Sequence, residues 1–404
     1  MLPHLPYENP CWHYRRTFNL KKKPKEKYYL NFEGVDSAFY LYVNGVKKGY
    51  SQISHATSEF DITDLVVNGE NTLDVIVLKW CVSTYLECQD KFRFSGIFRN
   101  VYLLKRPEKH ITDYRFITEL DGKDGVLTFF NESKIAITVS FKQTKTVVLA
   151  KKSVEFHVKN VRQWSAENPE LYTLKLEAEG ELIIDKVGFR QVTIEDKVFK
   201  INGNAVKLKG VNRHDFNCKT GATVTLTNLM EDIKLMKELN VNAVRTSHYP
   251  QSHHFINRCD EIGLLVFMEI PGWQHIGNEE WKKQACKNVE DMILQYRNHP
   301  SIMIWGVRIN ESHDDDAFYI ETNRIAHALD DTRQTGGVRN FAKSHLYEDV
   351  YTYNDFIHDG KKPGCEPKKN ITSDMSKGHL ITEYNGHMYP TKAFDCEDHR
   401  TEHA

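Results

Sequence analysis

Val206-Lys-Leu-Lys-Gly-Val-Asn212, Leu226–Leu239, Ala243-Val-Arg-Thr246, Ser252–Ile262 and Leu264-Leu-Val-Phe-Met268 follow one another in the third quarter of the chain. The first, third and fifth are short runs rich in Val and Leu, as strands require. Between them, Leu226, Leu229, Met230, Ile233, Met236 and Leu239 recur at helical spacing, and Asn228 with Glu231 three residues on suggests a capping box. A second helix over 252–262 is stopped by Gly263. The alternation continues with a helix over Glu279–Tyr296, a strand over Ile302–Glu311 and a helix over Phe318–Leu329. Short strands near Gln334, Tyr351 and Ile381 bring the count to seven. Strands alternating with helices in this way predict a parallel (β/α) barrel. The tail after Glu383 is 404 − 383 = 21 residues, too short for a closing helix, strand and helix, so the barrel is expected to stop after strand seven.

Upstream the texture is different. Tyr28–Phe32, Ala38–Val43 and Leu73–Leu78 are β-rich runs separated by Asn44-Gly45 and Asn68-Gly69 turns. Residues 1–107 are expected to form an antiparallel sandwich. Residues 108–192 repeat the all-β texture with Val126–Phe130, Ile135–Val139 and Tyr172–Leu176, at a size that suits an immunoglobulin-like sandwich. The barrel then takes 193–404.

Composition narrows the function. Net charge is −1, which argues against nucleic acid or an anionic membrane as a partner. No apolar run reaches membrane-spanning length, and the start lacks a signal-peptide pattern. The eight cysteines are scattered without zinc-ribbon spacing, so reduced thiols in the cytoplasm are expected.

Barrel active sites gather at the carboxyl ends of the strands. There the chain carries Asn212-Arg-His214-Asp215, Arg245-Thr-Ser-His248, Asn310-Glu311, Tyr351 and Tyr353, and Glu383-Tyr384 with His387 nearby. A single histidine or glutamate at such a place is most often structural. Polar residues at five strand ends on one edge are not what packing selects. Glu311 and Glu383, 72 residues apart (383 − 311), have the residue type and placement of a glycosidase pair, one protonated acid and one ionised nucleophile. Arg245 is placed to favour ionisation of a nearby carboxylate, and Asn310 to donate to a sugar hydroxyl. Roles alone leave the order of the two glutamates open. A retaining mechanism requires them about 5–5.5 Å apart.

The chain resembles glycoside hydrolase family 2, and within it the β-galactosidases. The resemblance rests on Phe32-Glu-Gly-Val-Asp-Ser-Ala38, Ser58-Glu-Phe-Asp-Ile-Thr63, Tyr85-Leu-Glu-Cys-Gln-Asp90 and Ser95-Gly-Ile-Phe-Arg99 in the first domain. It continues in Gly210-Val-Asn-Arg-His214, Asn242-Ala-Val-Arg-Thr-Ser-His-Tyr-Pro250 and Arg297-Asn-His-Pro-Ser-Ile302. It implies a galactose-binding-like jelly roll, an immunoglobulin-like sandwich and a TIM barrel, here a fragment lacking the eighth strand and later domains. It implies Glu311 as acid/base and Glu383 as nucleophile in the removal of terminal β-galactose. His214, His248, Asn310, Tyr353 and Asp90 would approach the sugar. The nearest alternatives are β-glucuronidase, β-mannosidase or a carbohydrate-binding fragment that does not turn over.

Two departures from the family pattern stand out. Five residues, not four, separate Trp305 from Glu311, and a kink is expected to absorb the extra one. Trp273 stands where the family places a magnesium-ligating glutamate, leaving His275 alone. No metal or other cofactor is therefore predicted, although magnesium or sodium is left open, as is a homo-oligomer.

Overall fold

The computed structural model describes residues 8–87, 91–356 and 365–384. The first domain is a sandwich of two antiparallel sheets. One runs Cys11–Leu20, Gly69–Leu78, Ala38–Val43, Val46–Gln52; the other runs Ser58–Asp61, Glu26–Phe32, Val101–Pro107. Asn44 and Gly45, at φ 50° and 79°, make the two-residue hairpin in which Val43 pairs with Val46. Tyr28, Phe32, Phe39, Leu41, Val75 and Val77 fill the space between the sheets.

The second domain packs a three-stranded sheet (Tyr114–Asp121, Asp124–Asn131, Ser153–Val158) on a four-stranded one (Thr144–Val148, Ile137–Phe141, Tyr172–Ala178, Glu181–Val187). Its seven strands bury Leu127, Phe129, Val139, Phe141, Leu174 and Phe189, the immunoglobulin-like arrangement. Arg190 and Trp164 tie it to the barrel. Arg190 donates to the Pro300 and Ile302 carbonyls at 2.7 and 3.0 Å, and the Trp164 indole donates to the Asp260 carbonyl at 2.8 Å.

A small antiparallel sheet, Val192–Glu195, Val198–Ile201 and Asn204–Ala205, floors the barrel. Val192 and Ile201 pack against Leu265, Phe267, Met303, Ile304 and Val338. The parallel barrel strands follow in order: Gly210–Asn212, Ala243–Thr246, Leu265–Glu269, Ile302–Gly306, Gln334–Gly336 with Val338–Arg339, Val350–Asn354 and Gly378–Glu383. We refer to them as strands one to seven. Strand five is broken at Gly337, where a Cβ would fall 2.4 Å from both Arg308 Cβ and Glu348 Oε1. Helices Leu226–Glu238, His253–Ile262, Glu279–Tyr296 and Asp316–Leu329 cover the outside. None of the described helices is long and apolar enough to cross a membrane.

Three expectations are corrected. Strand one is paired only over Gly210–Asn212, because the Asn242 side chain takes the Lys209 N–H and the Lys207 carbonyl in place of a ladder. The first helix is capped by Thr225, with Asn228 in the third position answering it, so the box lies three residues earlier than Asn228–Glu231. Strand four ends at Gly306, short of Glu311. Among the described residues strand one pairs only with strand two and strand seven only with strand six. A cavity of about 390 Å³ lined by Leu208, Val211, Ala243, Leu265, Phe267 and Leu380 opens between them.

Candidate active site

Side chains alternate across a strand, so one file of each strand faces the barrel axis. In strand three Leu265 and Phe267 join the inner core while Val266 and Met268 join the layer under the helices. Glu269 is the next residue of the inner file. Arg245 follows Ala243 in the same way on strand two. The two meet at the top of the barrel: Arg245 Nη2 lies 2.9 Å from Glu269 Oε1, and Arg245 Nε donates to Oε2 at 3.0 Å. Both are buried, Arg245 at 4% exposure and Glu269 at 1%. Gly306 of strand four makes the room, since a Cβ there would meet Glu269 Cβ at 2.4 Å.

Arg245 also donates to Glu383 Oε1 at 2.5 Å and to Asn310 Oδ1 at 3.1 Å. Strict alternation in strand seven would turn Glu383 away, because Leu380 already faces the core. A register shift corrects this. Tyr353 pairs with Ile381 but Asn354 pairs with Glu383, so Thr382 is passed over and Glu383 is re-aimed inward. Thr382 uses the kink to donate to Asn354 Oδ1 at 2.9 Å.

The extra residue before Glu311 is absorbed in a similar way. After Gly306 the chain bends at Arg308, whose buried guanidinium lies 4.2 Å from the Tyr319 ring centre and pairs with Asp314. Asn310 then forms an isolated bridge with Trp273, and the Glu311 N–H reaches the Val338 carbonyl at 2.8 Å. Glu311 sits at φ 55°, a left-handed conformation that costs a non-glycine residue roughly 1 kcal/mol or more. Its carboxylate is held on both oxygens. Asn354 donates to Oε1 at 2.9 Å, and Trp273 Nε1 and Gln274 Nε2 donate to Oε2 at 3.2 Å each. Asn354 also bonds Asn310 Oδ1 at 3.3 Å. The two glutamates are thus joined through Asn354, Asn310 and Arg245.

Electrostatics follow from this wiring. Burial works to raise the Glu269 carboxyl, but Arg245 and His248 outweigh it and hold the group below its ordinary range. Burial works to lower Arg245, but Glu269 and Glu383 outweigh it and the guanidinium stays charged. His248 Nδ1 lies 2.8 Å from Glu269 Oε1, and the His214 ring meets His248 edge-on with centroids 5.6 Å apart. Burial, then the neighbouring His248, depresses His214 to about 4, so it is neutral at pH 7.

Of the residues expected at the site, Arg245, His248, Asn310, Glu311 and Glu383 come together, with His214 beside them. Tyr353 does not join the carboxylate cluster. It lies on the opposite face of strand six from Asn354, packs with Tyr351 and Ile371, and its hydroxyl makes a 3.5 Å contact with the Asn340 carbonyl. Asp90 and His387 lie outside the described residues. Glu269 and Asn354 were missed as site residues. The inner file of strands three and six was the signal for both. The family's magnesium position does not fit this chain: Trp273 and Gln274 present N–H donors to Glu311 Oε2, and the His275 ring packs edge-on against Trp281 at 5.7 Å.

Three family matches tile the chain. The sugar binding domain of glycosyl hydrolases family 2 matches residues 1–107, a second family 2 domain matches 104–190, and the family 2 TIM barrel domain matches 192–397. The chain is 39% identical over 427 residues to a beta-galactosidase of Thermoanaerobacterium thermosulfurigenes, covering 96% of this chain and 59% of that protein. It is 40% identical to a beta-galactosidase of Thermoanaerobacter pseudethanolicus, covering 98% and 57%. The chain therefore spans under two thirds of the length of these relatives. An FMN-binding beta-glucuronidase from Facaelibacterium prausnitzii L2-6 superposes with a TM-score of 0.80 at 24% identity, over 87% of this chain and 61% of that one. At that identity the likeness is one of fold. Three domains matched in order, with close relatives along nearly the whole length, place the chain in glycoside hydrolase family 2.

Proposed function

We propose that this chain carries the catalytic centre of a retaining exo-β-galactosidase. The observation that carries the reading is the asymmetric holding of two carboxylates at one barrel mouth. Glu383 is paired with a charged, buried guanidinium, which fits the anionic partner of a retaining pair. Glu311 is surrounded by neutral N–H donors, and among the described residues none of its hydrogen-bond partners is a cation.

In the first step a Glu383 oxygen attacks the anomeric carbon, and the bond to the leaving oxygen breaks as that oxygen takes the proton of Glu311. In the second step water gives its proton to Glu311 and its oxygen to the anomeric carbon, which releases Glu383. Asn310, His214 and His248 line the sugar side of this centre. Galactose as the sugar is supported by the beta-galactosidase relatives at 39–44% identity.

The test compares chromogenic β-galactoside, β-glucuronide and β-mannoside with the 404-residue chain, alone and extended by the C-terminal part of the T. thermosulfurigenes relative. The expected result is that kcat/KM for the galactoside exceeds the other two at least a hundredfold in the extended protein. Preference for the glucuronide or mannoside overturns the sugar assignment. Loss of all three activities in a folded extended protein overturns the enzyme.

A further inference from the structure

Away from the barrel mouth, a second constellation sits where the first sandwich meets the barrel. Ser252 caps the helix His253–Ile262, so His253 and His254 are its first two residues. They face Glu33, a buried residue immediately after the sandwich strand Glu26–Phe32. His253 Nε2 lies 3.5 Å from Glu33 Oε1. The two imidazole centroids are 4.2 Å apart. One ligand atom from each of the three residues falls within 4.8 Å of the others, and no other such trio of His, Cys, Asp or Glu occurs among the described residues.

We propose that Glu33, His253 and His254 bind a divalent transition metal of the zinc class, clamping the sandwich to the barrel. Zinc takes nitrogen and oxygen ligands at about 2.0–2.2 Å, which sets tetrahedral neighbours roughly 3.3–3.5 Å apart. Glu33 and His253 already have that spacing, and the exposed His254 closes the rest by rotating its side chain. The fourth position faces solvent and takes water.

The donor set is borderline in softness, two imidazoles and a carboxylate, which suits zinc and disfavours magnesium or calcium. Neutral imidazole is the ligating form. Two features oppose a cation and both are weak. Arg99 lies nearby, but its guanidinium is committed to Asp215 at 3.0 Å. The helix N-terminus carries a partial positive charge, which is small beside three direct ligands. The Asn100 amide, 3.4 Å from His254 Nε2, is the contact the metal replaces.

This site is independent of the hydrolytic reading, because none of its residues touches the barrel-mouth carboxylates. The experiment titrates zinc chloride alone into the metal-free 404-residue chain by calorimetry, and repeats it with His254→Ala and Glu33→Gln. His254 is exposed, so its variant keeps the fold, which a circular dichroism melt verifies; His254→Gln is the second variant should it not. The expected result is one zinc equivalent of micromolar Kd in the parent, lost in His254→Ala and weakened at least tenfold in Glu33→Gln. Zinc should also raise the melting temperature of the parent and leave His254→Ala unmoved. No micromolar equivalent in the parent, or equal affinity in parent and variants, overturns the proposal.

Discussion

Replacing Arg245 with Gln removes the charge that four side chains share. Glu269 is 1% exposed and loses the cation facing both its oxygens, keeping only the 2.8 Å contact with His248. Stripping one partner from a buried ion pair costs about 3–5 kcal/mol, because the remaining charge has no compensation. Glu383 adds less, since its side chain is 19% exposed and water screens it. For a barrel of roughly 200 residues, 1 kcal/mol moves the melting temperature by about 2–4 °C, so the expected fall is roughly 6–20 °C. Differential scanning calorimetry at neutral pH reads this directly. Adding Glu269→Gln to the same chain removes the stranded charge and should restore at least half the loss. If Arg245→Gln melts within about 2 °C of the parent, or if the double variant is no more stable than the single, the buried pair is not what holds the barrel mouth.

Other expectations follow from the same contacts. Asn354→Ala removes the donor to Glu311 Oε1 and the tie to Asn310; Glu311 becomes charged as it gives up its proton, and a hydrogen bond to a charged group is worth about 1.5–3 kcal/mol, so kcat should fall roughly 10- to 150-fold. Among the described residues Tyr353→Phe removes only a 3.5 Å backbone contact, and its kcat should stay within about threefold of the parent; the reverse ranking of these two variants would place the wrong face of strand six in the site. His214, depressed to about 4 in the fold, leaves stability complete above the ordinary histidine value of about 6.5. As pH falls towards 4 the unfolded chain gains its proton first, and stability drops by up to roughly 3 kcal/mol through this group. Urea midpoints followed across that window should fall less steeply for His214→Asn, and an unchanged slope would remove His214 from this role.

Much of the architecture was legible because it rests on local patterns. The helical spacing of Leu229, Ile233 and Met236 became the buried face of the first barrel helix. The Asn44-Gly45 pair needed left-handed backbone, and both residues adopt it. Glu311 and Glu383 stood out from their place after apolar runs, and the structure links them through Asn354, Asn310 and Arg245. What escaped was register. A period of two tells which residues share a face but not which face is inside; Tyr353 was named from its strand end and the family resemblance, while Asn354 beside it bonds Glu311. Bulges then break the period: the extra residue between Trp305 and Glu311 marked the bend at Arg308, but nothing local marks the skipped Thr382 that turns Glu383 inward. Glu269 was passed over because its meaning depends on Arg245, 24 residues earlier, which only the parallel pairing of strands two and three brings beside it.

The central claim is that Glu383 is the nucleophile and Glu311 its acid/base partner. A 2-deoxy-2-fluoro-β-galactosyl fluoride slows release of the covalent intermediate, so the extended protein can be trapped with it, digested and sequenced by mass spectrometry. The account predicts one fluorogalactosyl group per chain, on the peptide that contains Glu383, with β-galactose as the first product of ordinary turnover. A label on Glu311 or Glu269, or α-galactose released with no label at all, would contradict it.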